Sequence, residues 1–351
     1  MAAFWQKVTV LQWGTAEPCR AFALFEKQGI KMDRNRFSVT IFLSAFFLAL
    51  VAYPYGVQAQ VSRARAAIPD RGALTLNQPA PAEFTSNRIH VEVRGKADGP
   101  DVILIPGLAS TSAVWAKVVP ALEDDYRLHL VTVRGFGEYS AEGNAEGYLG
   151  TAISGEISRY IGEQHLRRPA LIGHSMGGQM ALRVAADGGD TIGKVMLVDS
   201  SPFFPSLIDR GATKADVEPL ARLAYQGVLM LGDDLLRSRP AQMLDLGAGA
   251  DRVFNGLGWQ GGDRRVLAQG VFEVLTTDLR YRLPEITAPV TVVYGWSADA
   301  NSPRAVVDDL FRYGFMNLRQ PARFERIQGA EHMVMIDQPR AFERAVRTFL
   351  R

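Results

Sequence analysis

Hydrophobic and polar positions along the chain fall into two alternating patterns. Short continuous apolar runs occupy Val102–Ile105, Ala170–Ile172 and Val195–Val198, and Leu128–Val133 and Val290–Tyr294 are strand-like. Runs of this length predict strands buried on both faces of a parallel sheet. Ile89–Val93 alternates apolar with polar residues and predicts a half-buried edge strand, and Phe324–Ile327 predicts the last strand. Between these lie stretches with helical spacing or composition: Val114–Leu122, Leu149–Ile161, Met176–Ala186, Val266–Leu279, Pro303–Tyr313 and Pro339–Leu350. Strands alternating with helices predict an α/β domain whose mostly parallel sheet is covered on both faces.

The alternation breaks over residues 202–265, where glycines, prolines, Met and Phe are scattered with no strand pattern. This stretch predicts an inserted cap over the C-terminal edge of the sheet, where such folds bind ligands. Upstream, residues 60–86 are rich in Ala, Pro, Gln and Arg without a period and read as a linker. Residues 32–59 have the layout of a signal peptide: Arg34 and Arg36, an uncharged apolar run from Phe37 to Tyr53, and a small-residue site, Val57-Gln58-Ala59. The run is short for a membrane span. Secretion or delivery to the periplasm is therefore expected, with an outward-facing membrane anchor as the alternative if the segment is retained. Met32 is the expected start, which makes residues 1–31 an upstream extension of the reading frame. The α/β domain then covers 87–351, with the cap at about 202–265.

Composition narrows the function. The chain has 39 Lys+Arg against 37 Asp+Glu, a net charge of +2, which argues against a nucleic-acid partner. The single cysteine, Cys19, excludes a disulfide framework, and the five histidines show no short ligand spacing, so no metal site is expected.

One motif carries chemistry. Gly173-His174-Ser175-Met176-Gly177-Gly178 follows an apolar strand and opens a helix. Small residues around Ser175 allow a strained strand-to-helix turn that projects its hydroxyl at the helix N-terminus, where a developing anion is favoured. A phosphate loop would carry Gly-Lys-Ser/Thr, and none is present. Ser175 needs a base. His332, in Gly329-Ala330-Glu331-His332 after the last strand, is the candidate, whereas His174, His90, His129 and His165 have structural readings. The orienting acid is assigned to Asp299, after the Val290–Tyr294 strand, with Asp199, after Val195–Val198, as the rival. Two backbone N–H groups are expected to hold an oxyanion: Met176, directly after the nucleophile, and Leu108, in Pro106-Gly107-Leu108.

With these pieces in place the chain resembles the α/β-hydrolase superfamily over roughly residues 88–351. The resemblance rests on Ile105-Pro106-Gly107-Leu108, Arg134-Gly135-Phe136-Gly137, the Ser175 elbow, Tyr294-Gly295 with Asp299, and Gly329-Ala330-Glu331-His332. It implies the α/β-hydrolase fold: an eight-stranded, mostly parallel sheet with helices on both faces and a helical cap over a Ser–His–acid site. It departs from the family in two places: Pro106-Gly107 stands where the family often has His-Gly, and Asp299 follows Gly295 by four residues where the family usually has three. The activity implied is serine hydrolysis of a carboxylic ester or related acyl bond, of the carboxylesterase or lipase kind. It needs no cofactor or metal and acts on a small, apolar, ester-like molecule. C–C bond hydrolases and cofactor-free haloperoxidases or perhydrolases share the elbow and remain alternatives. Phe203, Phe204, Leu229, Met230, Met243, Phe254 and Trp259 either line an acyl pocket or pack the cap on the sheet.

Overall fold

The computed structural model describes residues 84–231, 260–298 and 302–351. The predicted signal peptide, the extension before it, most of the linker and much of the predicted cap lie outside the described residues. Among the described residues no helix is long and apolar enough to cross a membrane.

Each apolar run forms a strand: β1 Ile89–Gly95, β2 Asp101–Ile105, β3 Arg127–Val133, β4 Ala170–His174, β5 Lys194–Val198, β6 Val290–Trp296 and β7 Arg323–Gln328. They make one sheet in the order β1-β3-β2-β4-β5-β6-β7. Only β1, which pairs with β3, runs antiparallel, and the other pairings are parallel. The resemblance implies eight strands, and the described residues carry seven.

The helices are α1 Val119–Leu122, α2 Leu149–Glu163, α3 Met176–Gly188, α4 Lys214–Leu231, α5 Arg264–Thr276, α6 Arg304–Gly314, α7 Val334–Asp337 and α8 Pro339–Leu350. The helix expected over Val114–Leu122 is split into a 3₁₀ turn, Ser112–Trp115, and α1. Pro120 accounts for the break: it has no N–H to donate and is tolerated only in the first turn of a helix.

Alternate residues within a single apolar strand serve two separate cores. Ile103, Leu171, Val195 and Val292 face Ile157 of α2 and Met180 of α3. Their neighbours Val102, Ile172, Met196 and Val293 face Phe342 and Val346 of α8. This is why the inner strands lack a polar face, since each side of the sheet is dry. The longest described element of the cap is α4, lying against α5. The sequence predicts no helix over α4. Its N-terminus is closed by a reciprocal cap, with Thr213 N–H on Asp216 Oδ2 at 3.1 Å and Asp216 N–H on Thr213 Oγ1 at 3.4 Å.

Candidate active site

Ser175 sits between β4 and α3 with φ 52° and ψ −122°, a conformation that non-glycine residues rarely adopt. The turn is held on both sides. Ser175 N–H donates to Val198 O at 3.0 Å, and Ser200 Oγ donates to Ser175 O at 2.7 Å. Its glycines are sterically required. A Cβ on Gly173 would collide with the backbone of Gly177, and one on Gly177 would collide with the carbonyls of Ile105 and Pro106. The β2 loop is thereby pressed against the start of α3, with Gly107 next to the Ser175 side chain.

His332 lies in the loop between β7 and α7 and is 2% exposed. Its Nδ1 is 2.7 Å from Asp199 Oδ2. An ionised carboxylate only accepts, so Nδ1 carries a proton, and in the neutral ring Nε2 then holds the lone pair that a general base requires. The other Asp199 oxygen accepts Gly295 N–H at 3.3 Å. Asp199 is fully buried. Burial disfavours its charge, while the hydrogen bond from His332 favours it.

The carboxylate partner of His332 therefore differs from the first sequence assignment. Asp199, the rival, occupies Nδ1, whereas Asp299 lies outside the described residues. The reason is positional. β5 lies between β4 and β6 in the sheet, so its end is the strand end adjacent to the Ser175 turn on that side. Asp199 itself turns into the left-handed region at φ 44°. The His332 loop then folds down over the end of β6, where a Cβ on Gly295 would strike the carbonyls of Glu331 and Ala330. A side chain at Gly295 would hold His332 away from Asp199.

His174 proves structural, as expected. It is fully buried, and its Nε2 lies 3.1 Å from the His332 carbonyl, to which it donates. Burial, reinforced by the nearby His332 ring, pushes its pKa down to about 3, so it stays neutral. It thus anchors the backbone of the residue whose ring faces Asp199.

Leu108 and Met176, the two expected oxyanion donors, come from the β2 loop and the first residue of α3. Both side chains lie against Gly270 of α5. Neither backbone N–H has an acceptor among the described residues. Of the residues offered for an acyl pocket, Phe203 and Phe204 are buried and Leu229 is half-buried, whereas Met230 is 83% exposed. Met243, Phe254 and Trp259 lie outside the described residues.

The chain matches the alpha/beta hydrolase family over residues 102–345. It is 28% identical over 240 residues to a pimeloyl-[acyl-carrier protein] methyl ester esterase of Vibrio vulnificus (strain YJ016), a match covering 64% of this chain and 85% of that protein. A protein of the same description from Aeromonas hydrophila subsp. hydrophila is 26% identical over 284 residues, covering 74% of this chain and 99% of the relative. Among solved structures, a hydrolase from Pseudomonas aeruginosa aligns with a TM-score of 0.56 at 21% identity, covering 75% of this chain and 94% of that one. MenH from S. aureus aligns with a TM-score of 0.56 at 16% identity, covering 76% and 98%. At these identities the structural matches speak for the fold alone.

Proposed function

Because the chain belongs to the alpha/beta hydrolase family, we propose that it is a serine hydrolase that cleaves a small, apolar carboxylic ester through an acyl-enzyme. Ser175 Oγ attacks the ester carbonyl carbon while its proton passes to His332 Nε2. The carbonyl oxygen becomes an oxyanion held by the N–H groups of Leu108 and Met176. His332 then returns the proton to the departing alkoxide, and the alcohol leaves. Water, deprotonated by the same His332, attacks the acyl carbon and frees the acid and Ser175. Asp199 holds the His332 tautomer and stabilises the imidazolium formed in each half-reaction.

The observation that carries this reading is the buried Asp199–His332 hydrogen bond at the edge of the sheet where Ser175 is held in strained backbone. The ester is suggested by the relatives described as methyl ester esterases. The signal-like layout of residues 32–59 supports export across the cytoplasmic membrane.

The test is labelling by a fluorophosphonate probe, followed by a p-nitrophenyl ester series of increasing acyl length. Wild-type protein is expected to label and to turn over a subset of the esters. Ser175→Ala should lose labelling and about 10⁵–10⁶ in turnover while keeping the wild-type Tm, since Ala places the same Cβ in the elbow. Labelling that survives in Ser175→Ala ends the proposal.

A further inference from the structure

The segment that returns from the cap is stitched to the loop bearing Leu108. Gln260 N–H donates to Ala109 O at 2.7 Å. The Gln260 side-chain Oε1 accepts from Thr111 N–H at 2.9 Å and from Thr111 Oγ1 at 2.6 Å. The next residues grip the loop after β3: Gly137 N–H donates to Gly261 O at 3.0 Å, and Asp263 N–H donates to Gly135 O at 2.8 Å. Asp263 also caps α5 through Arg265 N–H at 2.9 Å. Strap, α5 and the Leu108 loop thus form one hydrogen-bonded unit.

We propose that Gln260 is a positioning residue that fixes the aim of the Leu108 N–H, so that the cap's return segment sets the geometry of the oxyanion hole. This rests on the serine-hydrolase reading of the site. A backbone donor can be aimed only through the torsions of its own segment. Next to Leu108, Ala109 is held at φ 55°, a strained angle for alanine. Downstream, Ser112 N–H is tied to Thr132 Oγ1 at 2.9 Å, which fixes that end of the loop to β3. Between these points the Ala109 carbonyl and the Thr111 N–H and hydroxyl are all held by Gln260. The amide orientation is dictated by Thr111, whose N–H can face only the oxygen. Nε2 is consequently buried without an acceptor among the described residues. Such a donor is costly to leave unmade, and the contact made by the oxygen offsets it.

The experiment compares Gln260→Met, which keeps shape and loses the acceptor, with Gln260→Glu, which keeps an acceptor oxygen. The readouts are kcat, KM, Tm and the Ki of a trifluoromethyl ketone, whose adduct with Ser175 places an oxyanion in the hole. Losing a donor outright costs about 10²–10³ in rate, so misaiming one should lower kcat of Gln260→Met by about 10- to 100-fold. KM is expected to stay within about threefold, and Ki to rise by the factor that kcat/KM falls. Gln260→Glu is expected to recover most of kcat. Unchanged kcat, an unchanged Ki, an effect confined to KM, or a Glu variant as impaired as the Met variant each overturns the proposal. Should Gln260→Met not fold, Thr111→Val removes one of the two donors to Oε1. It is expected to lower kcat and raise Ki in parallel by about three- to tenfold, and wild-type values there overturn the proposal equally. Wild-type protein that neither labels nor hydrolyses esters defeats the function reading and this inference with it, whereas failure confined to the variants defeats this inference alone.

Discussion

At Asp199 the backbone turns into the left-handed region one residue after β5 ends, and this turn brings the carboxylate over the end of β6 to His332 Nδ1. Removing that charge while keeping the shape should be far more damaging than the same change at Asp299. Asp199→Asn is expected to lower ester turnover by about 10⁴, the cost of a wrong tautomer and an unsupported imidazolium, with Asp299→Asn close to wild type. Steady-state kinetics on the two variants decides, and the reverse ranking returns the acid to Asp299. Ser175 and His332 stood out in the sequence as candidates because motif and chain order mark them. The partner of His332 stood out less: Asp199 and Asp299 both follow strands, and the sequence does not say which strand end lies beside which. His174 adds a pH dependence. Its pKa is about 3 in the fold and about 6.5 in an unfolded chain. Above pH 6.5 both states are neutral and the contribution is fully present. Between 6.5 and 3 the unfolded chain binds a proton that the folded one refuses, so stability falls as pH is lowered, by about 1.4 kcal/mol per unit in the middle of the window. Urea unfolding from pH 7 to pH 4 should show this slope, and His174→Gln should flatten it.

Helix α2 begins without a side-chain cap of its own, since Tyr148 at its N-cap supplies none. A carboxylate from α5 does the work: Glu273 accepts from Leu149 N–H at 2.6 Å and Gly150 N–H at 2.7 Å, with Gln269 Nε2 also on it at 2.8 Å. A buried anion at a helix N-terminus satisfies free N–H groups and complements the helix dipole. Glu273→Ala is expected to destabilise the protein by about 2–4 kcal/mol, because the buried Leu149 N–H and the half-buried Gly150 N–H lose a charged acceptor. Chemical denaturation measures it, and a loss under about 1 kcal/mol would mean that other groups cap α2. Nothing local announces this contact, since Glu273 lies 124 residues from Leu149 and stands among the apolar residues Val271, Phe272, Val274 and Leu275. The miss over α4 is different. Thr213 and Asp216 spell a capping pair in the sequence, but Pro219 within the helix and the surrounding glycines obscure the pattern.

At the scale of the molecule, the strand–helix alternation predicted an α/β sheet covered on both faces, and the two cores on its faces match that prediction. Strand order was not legible, because placing β3 outside β2 depends on pairing between residues far apart in the chain. Export is a whole-chain property too. If residues 32–59 direct it, the protein recovered outside the cytoplasm should begin at Gln60, as read by N-terminal sequencing. A recovered chain still carrying Cys19 would contradict both the cleavage and the start at Met32.

The placing of His332 after the last strand has a consequence in time. Ribosomes add about 5–20 residues per second. A further 133 residues must be made after Asp199 before its partner exists. On the proposed chemistry, a nascent chain holds its nucleophile and acid for roughly ten seconds with no base to activate them. Catalysis then begins abruptly, once β7 has docked and brought the final histidine over the sheet. On the same chemistry, a chain interrupted before His332 is silent toward esters.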